Sequence, residues 1–190
     1  MRVWTRQHKD VLKVIEEKGV YRVDPKHINM KMEEYADYYK SLYKWYSKRA
    51  EKLVTKPDDI TYPVWVSIDE EMQLQIVDDT VIFEMEIDES EIVITDLEKW
   101  GYVVNYFYLP RDEKDLKKHY SELERYSIAD ESAIIMSGLG NHYPLLKRKI
   151  QSSWERLFEP YRLSTTRQGT IWEIKKEWIT NIIRGSHEGL

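Results

Sequence analysis

Residues 80–108 read TVIFEMEIDESEIVITDLEKWGYVVNYFY, and the fold class hangs on them. Val81, Phe83, Met85 and Ile87 alternate with Ile82, Glu84, Glu86 and Asp88, the period of two of a half-buried strand. Asp88-Glu89-Ser90-Glu91 turns the chain, and Ile92 to Thr95 returns it. Asp96 sits where that strand ends, as N-cap of a short helix over 97–100 or as a ligand-facing carboxylate. Trp100 then opens an aromatic run. A pair of strands this clear needs partners, which are sought outward from it.

Upstream, Arg2 to Thr5 read as a first strand and Gln7 to Lys18 as a helix, with Thr5 as its N-cap and Gly19 closing it in the left-handed conformation. Val20 to Val23 form a second strand, stopped by Asp24-Pro25. Residues 31–54 carry Met32, Tyr35, Leu42, Tyr46 and Leu53 at three-four spacing, the mark of one long helix lying on a sheet or forming a dimer seam. Residues 60–68 are a strand that is an edge or begins just after Pro63, because proline removes a ladder donor. Residues 72–77 are read as a further strand.

Downstream, residues 111–126 read as a helix with Leu116, Tyr120 and Leu123 inward. Residues 127–144 look irregular, and 144–158 form another helix carrying Leu145, Ile150, Trp154, Leu157 and Phe158. A polar loop, 164–169, feeds a strand over 170–174. The spacing of Trp178, Ile179, Ile182 and Ile183 suggests a last helix. Strands near both ends and in the centre, with helices between, give the α+β class. The expected architecture is a single domain over 1–184, with a mixed, mostly antiparallel sheet or two small sheets bordering a cleft. A flexible tail is expected over 185–190.

Composition narrows the function. The formal net charge is −5, which argues against broad electrostatic capture of nucleic acid. No run approaches the roughly 18 apolar residues of a membrane span, and the N-terminus lacks a signal peptide's apolar stretch, so the expected location is the cytoplasm. With no cysteine, disulfides, thiolate zinc sites and cysteine nucleophiles drop out. The histidines show no metal-ligand spacing, and no metal site is expected. Gly138-Leu139-Gly140 lacks the third glycine and the preceding strand of a dinucleotide fingerprint.

The aromatic count is high, with 7 Trp and 14 Tyr against 3 Phe. Trp4, Tyr21, Trp65 and Trp100 are candidates to line a pocket for a base, peptide or modified nucleotide. The polar candidates are Asp96 and Asn105 near strand ends, Gln168 at the end of a polar loop, and Glu173 on the strand after it. Gln168 both donates and accepts hydrogen bonds, which suits a ribose or an amide.

Several of these residues recur as an ordered set: Trp4-Thr5 with Gln7, Gly19-Val20-Tyr21-Arg22, Tyr43-Lys44-Trp45, and Tyr62-Pro63-Val64-Trp65. Ile94-Thr95-Asp96 follows, leading to Trp100 and Asn105, then Ser153-Trp154 with Phe158, and 168–173, QGTIWE. With this set the chain resembles a bacterial family catalogued as a domain of unknown function, number 3841. The family usually has Ser-Asp-Phe where this chain has Thr95-Asp96-Leu97. A weaker likeness is to compact ADP-ribosyltransferases, which bind NAD between two small sheets. That likeness implies Thr5 at the nicotinamide, Tyr21 or Tyr62 stacked on the ring, and Glu173 steadying an oxocarbenium-like ribose. Gln168 and Asp96 would act beside Glu173, and Trp4, Gln7, Arg22, Trp65 and Asn105 would complete the ligand contacts. The implied cofactor is NAD. The alternatives are a non-catalytic module for a small ligand and an interaction protein, with a homodimer or an operon-encoded partner.

Overall fold

In the computed structural model, which describes residues 1–185 and all of their side chains except those of His27, Met30 and Lys31, the chain separates into two compact units. One comprises Met1–Ile94 with the chain from Gln168 on; the other is Thr95–Arg167. The fold is α+β, with a six-stranded sheet and a two-stranded ladder. The tail expected to be flexible lies, beyond Gly185, outside the described residues.

The first unit is built on β1 (Arg2–His8), which pairs along its whole length with β4 (Thr80–Glu86), antiparallel, with Thr5 opposite Phe83. Thr5 is therefore a strand residue and not a helix cap. That place falls to Lys9, whose side chain makes no cap bond, at the start of α1 (Asp10–Lys18). Gly19 ends α1 as its composition suggests, at φ 72°, with its N–H donated to the Ile15 carbonyl. β2 (Val20–Tyr21) follows. Asp24 and Pro25 start a helix instead of only stopping a strand: Asp24 accepts from the Lys26 N–H and Pro25 fills the first position of α2 (Pro25–Met32). A 3₁₀ turn, Glu33–Tyr35, leads into α3 (Ala36–Ala50), and together they are the long helix.

β3 (Val64–Ser67) begins directly after Pro63 and is an interior strand. Residues 73–77 are not a strand; the Ser67 hydroxyl and the Arg6 guanidinium tie down the carbonyls of Met72 and Gln75. β5 (Val93–Asp96) is an edge strand, and its last two residues open the second unit. β6 (Arg167–Ile171) pairs with β3, and β7 (Ile174–Lys175) pairs with β2. The single strand expected over 170–174 is thus broken at Trp172-Glu173, where the chain leaves one sheet for the other.

The last element is β8 (Ile179–Arg184), a strand and not a helix. Its β-branched run finds hydrogen-bond partners on β4, opposite Ile82 to Met85, and that pairing overrides the three-four spacing. The sheet order is β5-β6-β3-β1-β4-β8.

Register assigns the two faces. Val3, Thr5 and Gln7 lie on one side with Val81, Phe83 and Met85, and this side carries the core with Val11, Ile15, Tyr21, Val66 and Ile174. Fully burying side chains such as Phe83 and Met85 contributes roughly 1.5–3 kcal/mol each. Trp4, Ser67, Trp65, Gln168 and Thr170 lie on the other side. There α3 packs, with the Tyr46 ring 5.0 Å from Trp65 and its hydroxyl 2.8 Å from Thr170 Oγ1. Of the stripe expected on the long helix, Leu42 and Tyr46 are buried, whereas Tyr35 and Leu53 are exposed and Leu53 lies past the helix end.

The second unit holds α4 (Leu97–Val104), α5 (Glu113–Arg125), α6 (Ser132–Met136), α7 (Leu139–His142) and α8 (Pro144–Ser153), the last continued by a 3₁₀ segment, Trp154–Phe158. The segment 127–144 is therefore helical in part. Gly140 is required there by space: a Cβ would stand 2.1 Å from the Ile134 carbonyl oxygen. Two orientations differ from expectation. On α5 the inward residues are His119 and Leu123, while Tyr120 is exposed; on α8 Leu146 is buried and Leu145 faces out.

Candidate functional site

The candidates of the first unit divide between the two sheet faces. On the core face, Thr5 and Gln7 are engaged locally: the Thr5 hydroxyl donates to the Trp65 carbonyl at 2.8 Å, and Gln7 Nε2 donates to Thr5 Oγ1. Tyr21 belongs to the same core, and burial pushes its hydroxyl up to about 12. Tyr62 is buried just before β3, where burial and then the charge of Asp37 raise its hydroxyl above the ordinary tyrosine value.

Glu173 lies in the break between β6 and β7, directly before the β2–β7 ladder. Its carboxylate accepts from Arg22 Nε at 2.9 Å and lies 3.7 Å from Lys175 Nζ. Arg22 also pairs with Asp59. The hydrogen bond donated to Glu173, more than any other contact, holds the guanidinium in its charged form. These four charges, two of each sign, neutralise one another, the arrangement of a structural clasp.

The opposite sheet face gathers Trp4, Trp65 and Gln168, with Ser67 and Thr170 in the same rows. Tyr43 and Tyr46 of α3 flank Trp65, with ring centroids at 5.8 and 5.0 Å. Burial pushes the Tyr43 hydroxyl up to about 12. Ser67 is spent on the Met72 carbonyl and Thr170 on Tyr46. Gln168 Nε2 is different: it is buried and has no hydrogen-bond acceptor. An unmet buried donor costs about 1–3 kcal/mol, so this amide, on the face that carries Trp4 and Trp65, is a feature that needs a reason.

Asp96 and Asn105 belong to the second unit and are engaged within it. Asp96 Oδ1 accepts from the N–H groups of Glu98 and Lys99, capping α4, and Oδ2 accepts from those of Leu163 and Ser164. All of its near lone pairs are used on backbone. Asn105 ends α4, with its amide donated to the Gly101 carbonyl. Trp100 is buried on α4.

The second unit also contains a polar cluster that no sequence motif singled out. His119 is fully enclosed, with Nε2 against the Glu131 carboxylate, Nδ1 3.2 Å from Lys149 Nζ, and the Tyr108 ring stacked on it at 4.2 Å. Lys149 also reaches Glu122 Oε2 at 2.6 Å, a bond that holds the Glu122 carboxyl below its usual range. Nearby, Arg156 joins Asp115, the Tyr108 hydroxyl and the Leu109 carbonyl. Burial raises the Asp115 carboxyl, but donors from Arg111, Tyr108 and Arg156 outweigh it and hold it low. The one clue in the chain was position: His119 falls on the inward stripe between Leu116 and Leu123.

Lys99 is buried as well, donating to the carbonyls of Arg156 and Glu159 over the Tyr161 ring. Burial lowers its ammonium below the ordinary lysine value, against the charges of Asp96 and Glu159. Among the described residues no group of three His, Cys, Asp or Glu side chains is placed to hold a metal ion, and no helix is long and apolar enough to cross a membrane.

A family model described as Domain of unknown function (DUF3841) matches residues 2–180. No curated protein and no solved structure matches the chain.

Proposed function

The chain belongs to the family described as Domain of unknown function (DUF3841), and we propose that in this member the first unit is a binding module for a small planar ligand of the nucleotide class, with NAD as the first candidate. The reading is carried by Gln168 Nε2, a buried donor without an acceptor on a sheet face shared with Trp4 and Trp65. Aromatic rings stack on a base or nicotinamide for roughly 1–3 kcal/mol each, and the amide would donate to a ring nitrogen or carbonyl. Arg22 and Glu173 play no part in this version, because each satisfies the other.

Calorimetry and thermal shift with NAD, AMP and nicotinamide test the proposal. Gln168→Met should leave the free protein as stable as before or more so, since it deletes an unmet donor, while weakening ligand binding at least tenfold. Trp65→Ala should weaken it as well. No heat and no shift with any of the three ligands at millimolar concentration would refute it. The transferase version adds one demand, NAD turnover that Glu173→Gln abolishes.

A further inference from the structure

We propose that Lys149 is a nucleophilic amine, served by a His119–Glu131 relay, that condenses with an aldehyde or ketone to form an imine. The inference rests on the second unit alone and is independent of the ligand site on the sheet face.

The donor inventory fixes the relay. An ammonium only donates, so His119 Nδ1 must be the acceptor of the 3.2 Å contact with Lys149 Nζ. The imidazole proton is then on Nε2, donated to the Glu131 carboxylate, whose other oxygen accepts the Tyr108 N–H. This is nucleophile, base and orienting carboxylate in series, the arrangement that activates hydroxyl and thiol nucleophiles. His119 is fully enclosed and Tyr108 stacks on its ring, so the base is held in one orientation. The Lys149 side chain is 32% exposed, so the lysine, unlike the enclosed ring, borders solvent. The charged and titratable groups around the relay are Glu122 on α5, Glu131 before α6, Tyr108, and Tyr120 beside the ring.

The steps balance. The Lys149 ammonium passes one proton to Nδ1, and the imidazolium is stabilised by Glu131. The freed Nζ lone pair attacks the carbonyl carbon and the C=O pair moves to oxygen. A proton shifts from nitrogen to that oxygen, giving the carbinolamine. His119 then returns its proton to the hydroxyl, which leaves as water, and the nitrogen lone pair forms the C=N bond. The sum is carbonyl plus ammonium giving protonated imine plus water.

Limiting pyridoxal, trapped with sodium borohydride and read by peptide mass spectrometry on the full chain at pH 7, tests it, with Lys13 and Lys117 as internal standards at 78% and 73% exposure. Lys149, though less exposed than either, should be trapped at least tenfold faster. His119→Gln should bring it to or below the standards while leaving their rates unchanged. Glu122→Gln, a half-exposed change that spares the enclosed histidine, should speed trapping several-fold by removing the counter-charge, and it decides the matter if the His119 variant does not fold. Lys149 trapped more slowly than both standards, or no response to Glu122→Gln, would overturn the proposal.

Discussion

Replacing Asp96 with alanine should loosen the second unit at two named places and nowhere else first. The carboxylate is 7% exposed and accepts four main-chain N–H groups: Glu98 at 2.8 Å and Lys99 at 3.1 Å through Oδ1, Leu163 at 2.7 Å and Ser164 at 2.9 Å through Oδ2. Loss of the helix cap costs about 1 kcal/mol. Leaving two loop donors without an acceptor costs about 1–3 kcal/mol each, less where water reaches them. The sum is roughly 3–7 kcal/mol, and since 1.4 kcal/mol is tenfold, opening of these amides should rise by more than about a hundredfold.

Amide hydrogen exchange resolves the effect by residue. In Asp96→Ala, exchange at Lys99, Leu163 and Ser164 should accelerate by that factor, while amides of β1 and β4 keep their protection. Asp96→Asn separates the two halves of the role. Asparagine caps a helix nearly as well as aspartate, so Glu98 and Lys99 should change little. Its NH₂ would face the Leu163 and Ser164 N–H groups, and there exchange should rise at least tenfold. Acceleration of less than about threefold at Leu163 and Ser164 in Asp96→Ala would show that the carboxylate does not hold the 163–164 loop, and would reopen Asp96 as a ligand contact.

Three further outcomes are expected. The Asp115 and Glu122 carboxyls lie below their ordinary values, so below the usual carboxylate range the unfolded chain binds more protons than the folded one. Stability should accordingly be full above that range and fall as pH drops through it, and Glu122→Gln should flatten the fall in acid unfolding followed by tryptophan fluorescence. Gly140→Ala drives a Cβ into the Ile134 backbone carbonyl, whereas Gly169→Ala meets the Ile92 side chain at 2.4 Å, which can shift. Urea titration should show the first as the costlier, the second at about 1–3 kcal/mol, and Ile92→Ala should recover part of the second only. Tyr46→Phe should cost about 1 kcal/mol, because the buried Thr170 hydroxyl loses its partner; in a cycle with Thr170→Val, a coupling energy near zero would contradict the packing of α3 on the sheet.

What the chain declares about its own fold follows the range of the interactions involved. β4 was legible because its alternation is local, and Gly19 because a left-handed helix end is a property of one residue. β8 was not: Ile179, Ile182 and Ile183 satisfy a helical spacing, and only β4, almost a hundred residues earlier, supplies the hydrogen bonds that make the segment a strand. The break at Trp172-Glu173 has the same origin, since two partners, β3 and β2, claim successive halves of one apolar run.

The polar sites follow this logic more sharply. Asp96 was readable as a cap but not as the anchor of residues 163–164, because that half of its bonding comes from a distant loop. His119 carries the most consequence. A histidine on the inward stripe of a polar helix must be buried, and a buried titratable ring requires partners. Which partners it takes cannot be read from the helix, because the chain has 34 acidic and 29 basic residues and nothing local distinguishes Glu131 or Lys149 among them. Three-four spacing placed Tyr120, not His119, on the stripe with Leu116 and Leu123, so the cluster was not read from the chain, and its membership, which only the fold supplies, decides whether Lys149 is a strut or a nucleophile.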